Sequence, residues 1–277
     1  MKYSFVKSGL LVVFYFITSL TVQANLRAPT LSFHGPVGST FTQAEGIQVL
    51  NEELEIRFRI DRSGIPDDSF CAITARYRVY ASDSADLGLE FVGSAEGELH
   101  WKLGDQSGVA RLVAQDDTVS KTESESPLDD WQIQPALYSA FFTLAVEPGE
   151  QLIELQYKQP TSYMEVDYGY FRSSKFVHSV DYLIGPIKEW ELAEDFEMRV
   201  QVHIEDAITG TWARMRSRDD RIWMVEEDRN ALDPTEVVRE RNSLASSWTF
   251  GAADLPDTVR VYVGPASKEG TETFQNY

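Results

Sequence analysis

Acidic residues in pairs come nearest to chemistry in this chain: Asp67-Asp68, Asp116-Asp117, Asp129-Asp130, Asp219-Asp220 and Glu226-Glu227-Asp228. Calcium takes six to eight oxygen ligands at about 2.3–2.6 Å, often from an acidic loop. In Asp61-Arg62-Ser63-Gly64-Ile65-Pro66-Asp67-Asp68 the carboxylates of Asp61, Asp67 and Asp68 could converge if the loop turns tightly. These three are the candidate metal ligands, and calcium is the candidate cofactor. The loop lacks the Asp-x-Asp-x-Asp-Gly spacing of an EF-hand, and adjacent aspartates in loops are commonly solvated turn formers. A glycosidase needs two carboxylates facing each other across a cleft, roughly 5–10 Å apart. No local spacing selects such a pair.

Aromatic residues offer a second chemistry. Tyr163, Tyr168, Tyr170 and Phe171 cluster around Asp167-Tyr168-Gly169-Tyr170-Phe171, and Tyr182, Trp190, Trp212 and Trp223 follow. Exposed rings beside acids would suit a carbohydrate, whose C–H faces stack on them. Tyr168, Tyr170 and Trp190 are therefore the candidate ligand-binding residues, although aromatics in a sandwich more often fill the core. Arg214, Arg216, Arg218 and Arg221 form a basic cluster, either a solvated loop or a contact for an acidic partner.

The other reactive constellations are missing. His34, His100, His178 and His203 are mutually distant, with no His-x-His or His-Glu-x-x-His, so a zinc site is not expected. His100 and His203 fall on polar strand faces, and the histidines are expected at the surface. No Gly-x-Ser-x-Gly elbow, phosphate loop or dinucleotide fingerprint occurs. The lone Cys71 cannot form an internal disulfide and shares a strand face with Ile73, Ala75, Tyr77 and Val79, which makes it a small buried hydrophobe. No residue is assigned a catalytic role.

The elements that must position these groups have a period of two. Leu54-Glu55-Ile56-Arg57-Phe58-Arg59-Ile60 and Phe196-Glu197-Met198-Arg199-Val200-Gln201-Val202-His203-Ile204 alternate apolar and polar without a break. Shorter alternations lie at Leu99–Leu103, Ile153–Tyr157 and Val259–Val263. Strands with one wet face mark antiparallel sheets, and turn signals every ten to fifteen residues predict an all-β sandwich of Ig-like character. Charged outward faces exclude an outer-membrane barrel. One short helix is expected over 233–244, from an N-cap Asp233, Pro234 and Glu236 with Val237, Arg241 and Leu244 on one side. A single helical turn is expected near Gly185–Trp190.

Residues 1–24 read as a signal peptide: Lys2 and Lys7, a short apolar run from Leu10 to Leu20, then Val22-Gln23-Ala24 at the cleavage site. Its removal leaves 253 residues at a charge of −21, against −19 for the full 277. Such a surface repels nucleic acid and anionic lipid. No later segment approaches transmembrane length. The expected domains are 25–114 and 138–264, separated by the apolar-poor linker or long loop 115–137, with a flexible tail at 265–277.

Scattered anchors carry a resemblance. Asn25-Leu26-Arg27-Ala28-Pro29, Glu53-Leu54 and Cys71-Ala72-Ile73-Thr74-Ala75-Arg76-Tyr77 resemble the opening of a group of uncharacterised exported bacterial proteins. Val146-Glu147-Pro148-Gly149-Glu150 with Leu155-Gln156-Tyr157 is similar to that group's strand–turn–strand element. Val180-Asp181-Tyr182-Leu183-Ile184-Gly185-Pro186 and Trp190 resemble its Tyr-x-Leu-x-Pro-Ala-x-x-Trp signature, with Ile187 in place of Ala. Trp248-Thr249-Phe250 and Leu255-Pro256 match its closing element. The resemblance implies an extracytoplasmic, mostly-β protein and brings no catalytic residues.

The sequence thus points to an exported, periplasmic or secreted, non-catalytic β-sandwich protein, acting by binding or assembly at the cell envelope. Its expected partners are an envelope protein or a glycan. The alternatives are a glycan-active enzyme and a calcium-dependent adhesion or carbohydrate-binding module.

Overall fold

Alternation decides which side of each strand is dry. In Phe70–Ala81 the odd-numbered residues Cys71, Ile73, Ala75, Tyr77, Val79 and Ala81 are all buried, while Arg78 and Tyr80 stand in water. The computed structural model describes residues 31–32, 38–41, 46–60, 69–93, 97–114, 138–167, 175–184, 187–188, 190–205, 207, 211–217 and 231–264.

The first eight strands are β1 (Leu31–Ser32), β2 (Gly38–Phe41), β3 (Ile47–Arg59), β4 (Phe70–Ala81), β5 (Ala85–Gly93), β6 (Glu98–Leu103), β7 (Gln106–Arg111) and β8 (Val113–Ala114). After residue 137 come β9 (Tyr138–Val146), β10 (Gly149–Pro160), β11 (Ser162–Asp167), β12 (Lys175–Leu183) and β13 (Glu191–Glu205). The last are β14 (Trp212–Ser217), β15 (Ala231–Leu232), β16 (Glu236–Arg239), β17 (Ser243–Gly251) and β18 (Thr258–Gly264). A large sheet of eight strands runs β16-β17-β13-β3-β4-β10-β6-β7. A middle sheet of six runs β1-β11-β12-β18-β14-β15, and a small sheet of four runs β2-β5-β9-β8.

Both smaller sheets cover the same face of the large one. Tyr77, Tyr157 and Trp101 share that face, as the β4–β10 and β10–β6 registers require. Tyr77 meets Tyr182 of the middle sheet. Tyr157 meets Phe91 of the small sheet at 4.6 Å between ring centroids, and Trp101 stacks on Phe142 at 6.0 Å. The buried apolar residues of all three sheets form a single core cluster. This is a sandwich with one broad layer and a second layer made in two parts.

The outer face of the large sheet is charged. Arg76 bonds Glu154 at 2.7 Å and reaches Glu55 at 3.5 Å, and Arg57 pairs with Glu55 at 2.5 Å. The Glu154 hydrogen bond raises the Arg76 pKa.

Three expectations need correction. The expected helix over 233–244 is a hairpin: β16 pairs with β17, Arg239 opposite Leu244, and the Thr235 N–H bonds Ser247 O. Val237 and Val238 are adjacent and β-branched, and every ladder bond to β17 outweighs the local capping signal. The boundary at 115–137 does not separate domains, because β3, β4, β6 and β7 share the large sheet with β10, β13, β16 and β17. Finally, the sheets are not wholly antiparallel: β13 runs parallel to β3. The connection between these two strands is long, so no hairpin dictates their direction. The expected turn near residue 190 is present, with Ile187 N–H bonding Ile184 O and Trp190 N–H bonding Ile187 O.

Candidate functional site

Of the expected ligand-binding residues, the structure places Trp190. Its ring is half-buried against the core and lies 6.0 Å from Tyr77 at 37° between planes. Tyr168 and Tyr170 lie outside the described residues, as do Asp61, Asp67 and Asp68 and the signal segment. Among the described residues no group of three His, Cys, Asp or Glu could hold a metal ion.

An open cleft lies at one end of the sandwich, where β15, the end of β17 and the segment 254–257 meet. Its volume is about 360 Å³, within the usual range for a small-molecule site. Leu232, Phe250, Leu255 and Pro256 supply apolar walls, and Lys188, Asp254 and Asp257 supply charge. Lys188 Nζ lies 2.5 Å from Asp257 Oδ1, so one carboxylate is already neutralised. A short 3-10 turn, Ala252–Asp254, carries the chain into this wall. The arrangement can hold a small molecule with one apolar face and a polar edge. Asp254 and Asp257 both come from one short segment, unlike carboxylates opposed across a glycosidic bond.

Two buried polar groups lie deeper. Glu52 is 1% exposed, facing the core from β3. Tyr182 donates to Glu52 Oε1 at 3.0 Å, and the Tyr77 hydroxyl lies 3.0 Å from the Tyr182 hydroxyl. Since Tyr182 gives its proton to Glu52, Tyr77 donates to Tyr182. Burial pushes the Glu52 carboxyl up to about 7, against the lowering effect of the two phenols. Burial likewise holds the Tyr157 and Tyr182 hydroxyls and the Cys71 thiol well above their ordinary values.

On the opposite face of the middle sheet, Arg260 is gripped by both carboxylate oxygens of Asp181, with Nη2 2.6 Å from Oδ2. Burial opposes the Arg260 charge, and the Asp181 hydrogen bonds and charge outweigh it, so the guanidinium is held more firmly protonated than usual. Arg216 stands directly opposite Arg260 on β14, and both guanidinium groups lie over the Tyr262 ring, at 5.7 and 5.9 Å. Arg214 and Arg216 of the expected basic cluster thus lie in a strand rather than a loop, and Arg218 and Arg221 fall outside the described residues.

With this geometry the molecule can be compared with solved structures. A "putative nutrient binding protein" of Legionella pneumophila subsp. pneumophila str. Philadelphia 1 aligns with a TM-score of 0.53 over 84% of this chain and 72% of its own. The two share a fold. Sequence identity is 11%. No family model matches the chain, and no curated protein matches it.

The histidine expectation fails at one position. His178 is buried, with Nδ1 2.9 Å from Thr161 Oγ1, and burial lowers it to about 4. Glu52, Asp181, Arg260 and His178 all escaped sequence reasoning. For Glu52 a signal existed: it lies two residues before Leu54, on the same strand face as Leu54, Ile56 and Phe58.

Proposed function

We propose that this chain is an exported, non-catalytic binding protein of the cell envelope whose sandwich presents a small-ligand cleft between β15, the end of β17 and residues 254–257. The observation that carries this reading is a contrast. The described carboxyl, thiol, phenols and imidazole with perturbed acidity, Glu52, Cys71, Tyr157, Tyr182 and His178, are buried, whereas the open cleft mixes apolar side chains with Lys188, Asp254 and Asp257. Enzymes expose their tuned groups to substrate; here open surface and tuned chemistry are separated. The signal-like residues 1–24, the resemblance to exported proteins, and the name carried by the Legionella fold neighbour support the same reading.

The test is calorimetric titration of the chain from residue 25 onward against separate sugars, amino acids and small carboxylates. One class binds the wild type and is weakened at least tenfold by Lys188→Ala or Asp254→Ala, both exposed enough to leave folding intact. Binding unaffected by either substitution, or no binding by any class, overturns the cleft assignment. Cell fractionation tests export separately: the mature chain is expected outside the cytoplasm.

A further inference from the structure

We propose that Glu52 is a proton-operated clasp between the large and middle sheets: the neutral carboxyl can stay sealed between them beside Tyr182, and loss of its proton opens the seam because the ionised group must draw in water, a cost that outweighs its stronger bond from Tyr182.

The geometry begins with a β-bulge. The β3–β4 register shifts between Val49 and Asn51. This bulge resets the alternation, so that dry positions change from Ile47 and Val49 to Glu52, Leu54, Ile56 and Phe58. Glu52 is thereby placed on the core face, in register with Tyr77 on β4 and Met198 on β13. Its hydrogen-bond partner Tyr182 comes from β12 in the other layer. The chain Tyr77 to Tyr182 to Glu52 therefore crosses the gap between sheets, where the rest of the contact is apolar packing.

The surroundings decide which protonation state closes the clasp. Tyr77 and Cys71 face the site from β4, Tyr157 from β10, Tyr182 from β12, and Met198 from β13, with Trp190 behind Tyr77. Asp181 and Arg260 project from the other face of the middle sheet and satisfy each other. Among the described residues no lysine, arginine or histidine compensates Glu52. An ionised carboxylate here would be a buried charge with phenols alone to solvate it, a strongly unfavourable arrangement. A neutral acid fits better. It accepts from Tyr182 on Oε1 and has one proton of its own to give. The Tyr77 hydroxyl, which gives its own proton to Tyr182, also hydrogen-bonds Glu52 and is the acceptor we assign to that proton.

This clasp is independent of the cleft, and either can fail alone. Two measurements on the full mature chain test it. Infrared spectroscopy should show one protonated carboxyl band at mildly acid pH that disappears as pH rises through neutrality, and that band should be missing in Glu52→Gln. Amide exchange on β12 at Val180–Leu183, corrected for base catalysis, should accelerate by up to about tenfold per pH unit from about pH 6.5 toward neutrality, above the range where His178 on the same strand opposes Glu52. Glu52→Gln should remove that acceleration while β9, which packs on Trp101 and not on the residues around Glu52, responds alike in both proteins. A wild-type band absent at mildly acid pH, or unchanged well above neutrality, overturns the proposal. So does equal β12 acceleration in wild type and Glu52→Gln. Should Glu52→Gln fail to fold, the wild-type band and the β12 response still decide: both must move together through neutrality.

Discussion

Asp181 and Arg260 face each other in register on β12 and β18, both buried, joined by two hydrogen bonds to the two oxygens of one carboxylate. Removing one partner strands the other's charge, which typically costs about 3–5 kcal/mol. Asp181→Ala or Arg260→Ala should therefore lower unfolding stability by that order in urea titrations. Replacing both together with Leu and Met should cost far less than the two single losses added. A double variant as unstable as the sum of the single ones would mean that the pair does not act as a unit.

The pH dependence of stability should reflect two buried groups that oppose each other. Glu52 is raised from 4.5 to about 7, so its contribution is complete below about 4.5 and lost as pH rises through about 7. His178 is lowered from 6.5 to about 4, so its contribution is complete above 6.5 and lost as pH falls through about 4. Between about pH 4.5 and 6.5 the slopes are opposite, each about 1.4 kcal/mol per pH unit, and they offset. Glu52→Gln should leave stability rising with pH across that window, and His178→Gln should leave it falling. Urea midpoints measured at several pH values check both; identical profiles in the two variants would contradict the assignment.

Gly108 gives way to an indole. A Cβ built there would lie 2.5 Å from Trp101 Cζ2, directly across the β6–β7 ladder. Gly108→Ala should force Trp101 away from Phe142, costing about 1–3 kcal/mol and altering the near-ultraviolet circular dichroism. An unchanged aromatic signal at wild-type stability would show that the indole has room to move.

Cys71 should resist thiol reagents in the native protein. It is fully buried and its thiol is pushed up by burial, so the reactive thiolate is scarce as well as inaccessible. Modification should track global unfolding in denaturant. Rapid labelling without denaturant would place Cys71 outside the core.

The sequence made the scaffold legible where one face is wet. The dry set read from Cys71 to Val79 on β4 and from Phe196 to Ile204 on β13 is the set observed. It was silent where both faces are covered: on β12, Val177, His178, Val180, Asp181 and Tyr182 are all buried, and alternation carries no contrast. Glu52 was hidden by its charge, since period-two reading stops at the first ionisable residue and a bulge is invisible to it. The 233–244 segment went astray because Asp-Pro-x-Glu marks a helix start only if the chain lacks a neighbouring strand to join. Trp190 alone among the expected binding residues could be placed, and it packs against Tyr77.

The parallel β3–β13 ladder has a consequence for how the molecule is made. Gln48 pairs with Glu191, and Phe58 with Ile204, so one half of the central ladder leaves the ribosome long before the other. At about 5–20 residues per second the wait is on the order of ten seconds. Throughout it, β3 has only β4 beside it, its other edge exposed. The broad layer can zip shut only after β13 has been synthesised, which makes maturation a late event and gives chaperones time to engage the nascent chain.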